Sequence, residues 1–270
     1  MARKILLPYL APSAIQQNLV KNVVKELGEY RYLDEGNGPV LMMLHGLFGA
    51  LSNWEPIINS LSSKYRIIVP VLPIYQMPLL SASIDGLRKY VEGFVKEMNL
   101  EEFHLVGNSL GGHIALVYTV AHPEKVKTLI LTGSSGLFEN SMGGSFPKRG
   151  SYEYIKERVG YTFYDAATAS DELVAEVFEI TKSVSKAMAI VSIAKSAQRH
   201  NLAGDLYKIQ VPTLLIWGLN DTITPPHVAH EFNRLISKSE LYFTDHCCHA
   251  PMMEVPERFN FLLSRFLSQH

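Results

Sequence analysis

Residues 103–112 read Phe-His-Leu-Val-Gly-Asn-Ser-Leu-Gly-Gly, an apolar run that passes directly into a glycine-flanked serine. Gly107-Asn108-Ser109-Leu110-Gly111 fits Gly-x-Ser-x-Gly, a turn from strand to helix so tight that the serine is held out above the sheet. Gly107 and Gly111 suit that reversal because side chains there would collide as the chain turns around Ser109. The pentapeptide alone is weak, since roughly 0.1 matches arise by chance in a chain of this length. Its meaning depends on what lies on either side.

Outward from this turn, strands and helices alternate at short intervals. Val40–Leu44 is a continuous apolar run, as expected of a strand buried on both faces of a parallel sheet, and Tyr65–Leu72, Val126–Leu131 and Thr213–Trp217 are further strands. Between and after them, 53–62, 84–98, 110–121, 227–237 and 256–267 carry helical spacing, and Glu240–Phe243 is a further strand. Val23–Leu27 and Tyr30–Leu33 flank Gly28-Glu29 as a hairpin. The alternation predicts an α/β fold, a right-handed, doubly wound and mostly parallel sheet. It breaks at Gly133. From 135 to 208 no strand-like run occurs, and Leu173, Val177, Ile180, Val184, Met188 and Val191 recur every three to four residues. The expected organisation is an extension at 1–22, a core of 23–134 and 209–270, and an inserted helical cap at 135–208.

A serine hydroxyl needs a base to take its proton, and that base needs an orienting carboxylate. In this architecture such groups collect at the carboxyl ends of strands, in the chain order Ser, Asp, His. Gly218-Leu219-Asn220-Asp221 follows one late strand, and Thr244-Asp245-His246-Cys247-Cys248-His249-Ala250-Pro251 follows the next. Ser109, Asp221 and His249 therefore form the candidate catalytic set. His246 and Asp245 compete, but Ala250-Pro251 after His249 opens the segment leading to the final helix, and Asp245 leaves its strand too early to reach across. The backbone N–H of Leu110, at the positive end of a helix, is one oxyanion donor. The loop His45-Gly46-Leu47-Phe48-Gly49 supplies the other through Leu47, with His45 tethering the loop. Phe48, Asn53, Trp54 and Asn108 are candidate pocket residues.

Composition sets limits. Net charge is −1 over 270 residues and 47% of the chain is apolar, which gives no basic surface for nucleic acid or anionic membrane. No apolar run reaches the ~20 residues of a membrane span. The basic-then-apolar start, Met1–Leu10, is interrupted by Pro8 and lacks a clean cleavage site, which argues against secretion. Cys247 and Cys248 are adjacent, so no disulfide framework is expected and a cytoplasmic location fits. His246-Cys-Cys-His249 does not make a zinc site, because adjacent cysteines cannot both turn toward one tetrahedral ion and no second ligand pair appears. No metal or cofactor is expected, and a homodimer is compatible with the sequence.

With His-Gly-x-x-Gly, Gly-Asn-Ser-Leu-Gly-Gly, Trp-Gly-x-Asn-Asp and Cys-His-Ala-Pro in order, the chain resembles the α/β-hydrolase superfamily with a helical cap. The resemblance spans most of 23–268. It implies an eight-stranded sheet, Ser109 as nucleophile, Asp221 and His249 as its partners, and no cofactor. Serine at the turn separates the chain from the aspartate-using dehalogenases and epoxide hydrolases. Gly-Asn-Ser-x-Gly-Gly and Ser52-Asn53-Trp54 are similar to the meta-cleavage-product hydrolases, in which a cap arginine grips the substrate carboxylate; Arg199 is the candidate here, and a helix-surface charge is its alternative. Two departures stand out: Ala250 follows the histidine in place of tryptophan, and Leu72-Pro-Ile-Tyr-Gln-Met-Pro-Leu replaces a polar Asp-x-x-Gly-x-Gly loop. The expected activity is cleavage of a small, largely apolar ester through an acyl-enzyme. C–C bond hydrolysis and a non-catalytic small-ligand receptor are the alternatives.

Overall fold

The computed structural model describes residues 24–49, 51–140 and 150–270. The proposed extension at 1–22 lies outside them. Eight strands form one sheet in the order β1-β2-β4-β3-β5-β6-β7-β8: β1 Lys25–Leu27, β2 Tyr30–Glu35, β3 Val40–Leu44, β4 Arg66–Pro70, β5 Phe103–Asn108, β6 Val126–Thr132, β7 Thr213–Gly218 and β8 Ser239–Thr244. β2 pairs antiparallel with β1 and with β4, and every later pairing is parallel. The mostly parallel α/β sheet expected from the alternation is what forms.

Residue alternation explains why these strands are so largely apolar. Met42, Leu44, Leu105, Leu131, Leu215 and Trp217 join one core cluster with residues of α2 (Ile84–Glu97), α3 (Leu110–Ala121) and α7 (Pro226–Leu235). Leu41, Met43, Val106, Ile130, Leu214 and Ile216 join the other, with α1 (Glu55–Leu61) and α9 (Pro256–Leu267). Successive side chains of one strand thus enter opposite layers, so each needs an apolar partner.

Between β6 and β7 the chain forms α4 (Tyr152–Gly160), α5 (Asp171–Lys182) and α6 (Val184–Arg199). The single stripe expected across 172–194 is broken at Ser183. That residue is extended, ends α5 and caps α6 through its hydroxyl, which accepts from the Lys186 N–H at 3.5 Å. The cap resets the helical phase. Val184, Met188 and Val191 consequently face outward, while Ala187, Ile190, Ile193 and Ala197 are buried. One-turn α8 (Pro251–Glu254), which periodicity does not reveal, follows the candidate histidine.

Candidate active site

Ser109 has φ 55° and ψ −120°, a left-handed backbone conformation uncommon for a residue with a side chain. It is held from both sides: its N–H donates to the Thr132 carbonyl at 3.1 Å, and its own carbonyl accepts from His113 at 3.1 Å and Ser135 at 3.3 Å. The flanking glycines answer to sterics. A Cβ on Gly107 would lie 2.6 Å from the Gly111 carbonyl oxygen, and one on Gly111 would lie 2.0 Å from that of Leu44. Gly46 brings its loop against Ser109, with an added Cβ 3.2 Å from Ser109 Cβ.

Asp221 and His249 sit on the loops after β7 and β8. Gly218 lets the two loops close on each other, since a Cβ there would fall 2.1 Å from the Cys248 carbonyl oxygen. Leu219 N–H donates to Thr244 and Asn220 N–H to Cys247, both at 2.9 Å, so the loops run zipped together. His249 Nδ1 bonds Asp221 Oδ2 at 2.9 Å and lies 3.2 Å from Oδ1. Asp221 Oδ1 also accepts from the N–H groups of Ile223 and Thr224, each at 2.9 Å, and Oδ2 accepts from the Thr224 hydroxyl at 2.8 Å. The carboxylate is almost wholly buried. Burial alone would raise its pKa, but the charge and hydrogen bond of His249, with the Thr224 bonds, leave it lowered. His249 is the mirror case: burial pulls its pKa down, and the charge and hydrogen bond of Asp221, aided by Glu139 and Glu254, hold it above the ordinary histidine value. Gly133, at φ 52°, lies against the imidazole, where a Cβ would come within 2.9 Å of Nδ1.

His45 is buried and tethers the loop after β3. Its Nε2 accepts from the Leu72 N–H at 3.1 Å, so Nδ1 carries the proton and donates to the Gly46 carbonyl at 2.9 Å. Gly49 N–H donates to the same carbonyl at 3.1 Å. In a trans peptide the N–H points opposite to the C=O. Both bonds on the Gly46 carbonyl therefore fix the direction of the Leu47 N–H, on the side away from His45 and Gly49. Tyr75 adds a second hold, its hydroxyl donating to the Leu47 carbonyl at 2.6 Å.

Other residues picked from sequence fall elsewhere. Asn108 turns inward, its amide donating to the carbonyls of Thr132 at 3.0 Å and His249 at 3.1 Å, so it ties the serine turn to the histidine loop instead of lining a pocket. Trp54 has no exposed surface and belongs to the core cluster with Ile57 and Leu61. Asn53 stays near the loop after β3, its amide nitrogen 3.2 Å from where a Gly49 Cβ would be. Phe48 is half-buried between both clusters. Arg199 is exposed in the last turn of α6. Asp245 is exposed and accepts from the His246 N–H at 2.9 Å. Cys247 and Cys248 are buried free thiols whose pKa values burial pushes up. Tyr75, Thr224 and Glu254 were not picked out. Only Thr224 had a sequence signal, an Asp followed three residues later by Thr in a turn.

Residues 39–256 match the alpha/beta hydrolase fold family, and the chain belongs to it. It is 40% identical to a solved alpha/beta hydrolase enzyme, MGS-MChE2, from the metagenome of sediments of the Mar Chica lagoon, Morocco. That match covers 91% of this chain and 98% of the other, with a TM-score of 0.76. Over 260 residues the chain is 30% identical to a 2-hydroxy-6-oxo-6-(2'-aminophenyl)hexa-2,4-dienoic acid hydrolase of Metapseudomonas resinovorans, covering 89% of this chain and 88% of that one. It is 26% identical to monoacylglycerol lipase ABHD6 of Bos taurus, covering 86% and 76%. The protein is a hydrolase of this fold.

Proposed function

We propose that this hydrolase cleaves a small, largely apolar ester through an acyl-enzyme, with Ser109 as nucleophile, His249 as base and Asp221 as its orienting acid. The observation that carries the reading is the buried 2.9 Å Asp221–His249 bond, at the same sheet edge as the left-handed Ser109. With Nδ1–H bonded to Asp221, His249 keeps Nε2 unprotonated and ready to take the Ser109 proton. Ser109 Oγ then attacks the ester carbonyl carbon, and the N–H groups of Leu47 and Leu110 hold the resulting oxyanion. The imidazolium returns its proton to the leaving alcohol. Water, deprotonated in turn by His249, attacks the acyl-enzyme and frees the acid and Ser109. In this reading α4–α6 act as a cap that covers the substrate, and the free buried cysteines fit a cytoplasmic location.

A second reading, C–C bond hydrolysis, is favoured by the relative named for a hexadienoic acid. An anionic substrate calls for a buried cation, and Arg199 is exposed. The partly buried charges near the loops are acidic instead: Glu139 interacts with His249, and Glu176 of α5 with Tyr75. Burial raises the pKa of both carboxyls. Neutral esters therefore rank first. Hydrolysis of p-nitrophenyl butyrate, and fluorophosphonate labelling of the wild type but not of Ser109→Ala, is the expected result. Inactivity on esters with turnover of a vinylogous diketone acid would replace this reading by the second.

A further inference from the structure

Three consecutive backbone N–H groups, those of Cys248, His249 and Ala250, leave the histidine loop in two directions with one destination. Cys248 and Ala250 donate to Glu254 Oε1, at 3.0 and 3.3 Å. His249 donates between them to the carbonyl of Thr162 at 3.1 Å. The other carboxylate oxygen, Glu254 Oε2, accepts from the N–H of Tyr164 at 2.7 Å. Thr162 and Tyr164 lie just beyond α4, in the inserted segment, so the loop that carries His249 and the segment that follows α4 are joined at His249 directly, through the Cys248 thiol, which donates to the Tyr161 carbonyl at 3.9 Å, and through Glu254.

We propose that Glu254 is a positioning residue: its carboxylate makes the His249 loop and the 162–164 segment one hydrogen-bonded unit, so that the base is aligned only while the cap is seated. This rests on the reading of His249 as the base. The chemistry calls for a carboxylate, because both oxygens face N–H donors and each needs lone pairs toward them. An amide must turn its NH2 group either toward Tyr164 or toward Cys248 and Ala250, and loses a bond in either orientation. Glu254 is placed for this by α8, which Pro251 starts immediately after the loop and which returns the side chain over it within one turn. The charges acting on His249 come from three elements: Asp221 after β7, Glu139 after β6 and Glu254 in α8. All three favour the imidazolium, so removal of one lowers the pH at which the base is lost.

The test compares the full-length wild type with Glu254→Gln, Glu254→Asp and, as a control on the exposed face of α9, Glu257→Gln. The readouts are p-nitrophenyl butyrate kinetics as a function of pH and amide hydrogen exchange. Glu254→Gln is expected to lower kcat by up to about 100-fold with a smaller change in KM, because a base displaced by a fraction of an ångström loses the reacting geometry. Its acid limb in kcat/KM moves to lower pH, and the amides of Tyr164, Cys248 and Ala250 lose protection together. Glu254→Asp keeps the charge on a shorter stem, so it retains the acid limb while kcat falls. Glu257→Gln behaves as the wild type. Glu254→Gln with kcat within twofold of wild type and an unmoved limb overturns the proposal, as does exchange that rises in one segment alone. A wild type without esterase activity defeats the functional reading, and joint or separate exchange then still decides whether Glu254 couples the two segments.

Discussion

The two halves of the site are held by different physics. Around Ser109 the backbone itself sets the geometry: glycines at 46, 107 and 111 stand where any Cβ would meet backbone atoms or the serine side chain. Around His249 glycines at 133 and 218 are again forced by sterics, but side-chain charge is added, with one buried carboxylate taking bonds from the imidazole, two backbone N–H groups and a hydroxyl. The first half is steric and indifferent to pH. The second adds an electrostatic hold whose strength depends on protonation. Substitutions on the two sides should therefore fail in different ways.

The largest effect tests whether the halves form one machine. Ser109→Ala should reduce kcat by about a million-fold, as loss of a nucleophile in a coupled set does, while leaving the melting temperature close to wild type. Asp221→Asn comes next, with a loss of about 10,000-fold in kcat, because an amide stabilises the wrong imidazole tautomer and offers no charge to the imidazolium. The pH dependence belongs to the same half. Since the His249 pKa is raised, its neutral, basic form is lost as pH falls through that value, and the acid limb of kcat/KM should lie above 6.5. In Asp221→Asn whatever activity remains should show this limb at lower pH. On the steric side, Gly111→Ala should cost roughly 3 kcal/mol of stability in urea denaturation, because the new methyl meets the Leu44 carbonyl oxygen and backbone cannot step aside. That loss should be the same across neutral pH. If instead it titrated with His249, the division into two halves would not stand. The smallest effect is at Tyr75→Phe, which releases the Leu47 carbonyl; about 1 kcal/mol, or roughly fivefold in kcat, is expected, with the acid limb unmoved.

What could be read from sequence follows the same division. The serine turn and the strands announce themselves locally: glycine spacing and largely apolar runs are consequences of backbone sterics and two-sided burial, and both are written in neighbouring residues. The placement of Asp221 and His249 on the last two sheet-edge loops was also legible, because chain order in a parallel sheet dictates which loops share an edge. Partners far apart in sequence were not. Asn108 turns toward His249, 141 residues away, and Tyr75 reaches Leu47 across 28. No local pattern encodes either contact. Trp54 stands in a motif that suggests a pocket, yet as the N-cap of α1 it is wholly buried in a core cluster. At Ser183 an apolar spacing that happened to continue in phase concealed a helix break, which a capping serine followed by a fresh buried face creates.

The neutral tether of His45 bears on how the protein can be observed. Four histidines are buried among the described residues: His45, His104, His113 and His249. Burial lowers the pKa of the first three, with His104 near 4 and His113 near 3, and only His249 is shifted upward. Burial therefore holds three of the four toward the neutral form, and His249 is the one buried imidazole whose surroundings favour its charged form. The loop that orients the Leu47 N–H is thus held neutral beside the imidazole that gains charge most readily, and a buried histidine resonance that moves with pH should report on the proton at His249.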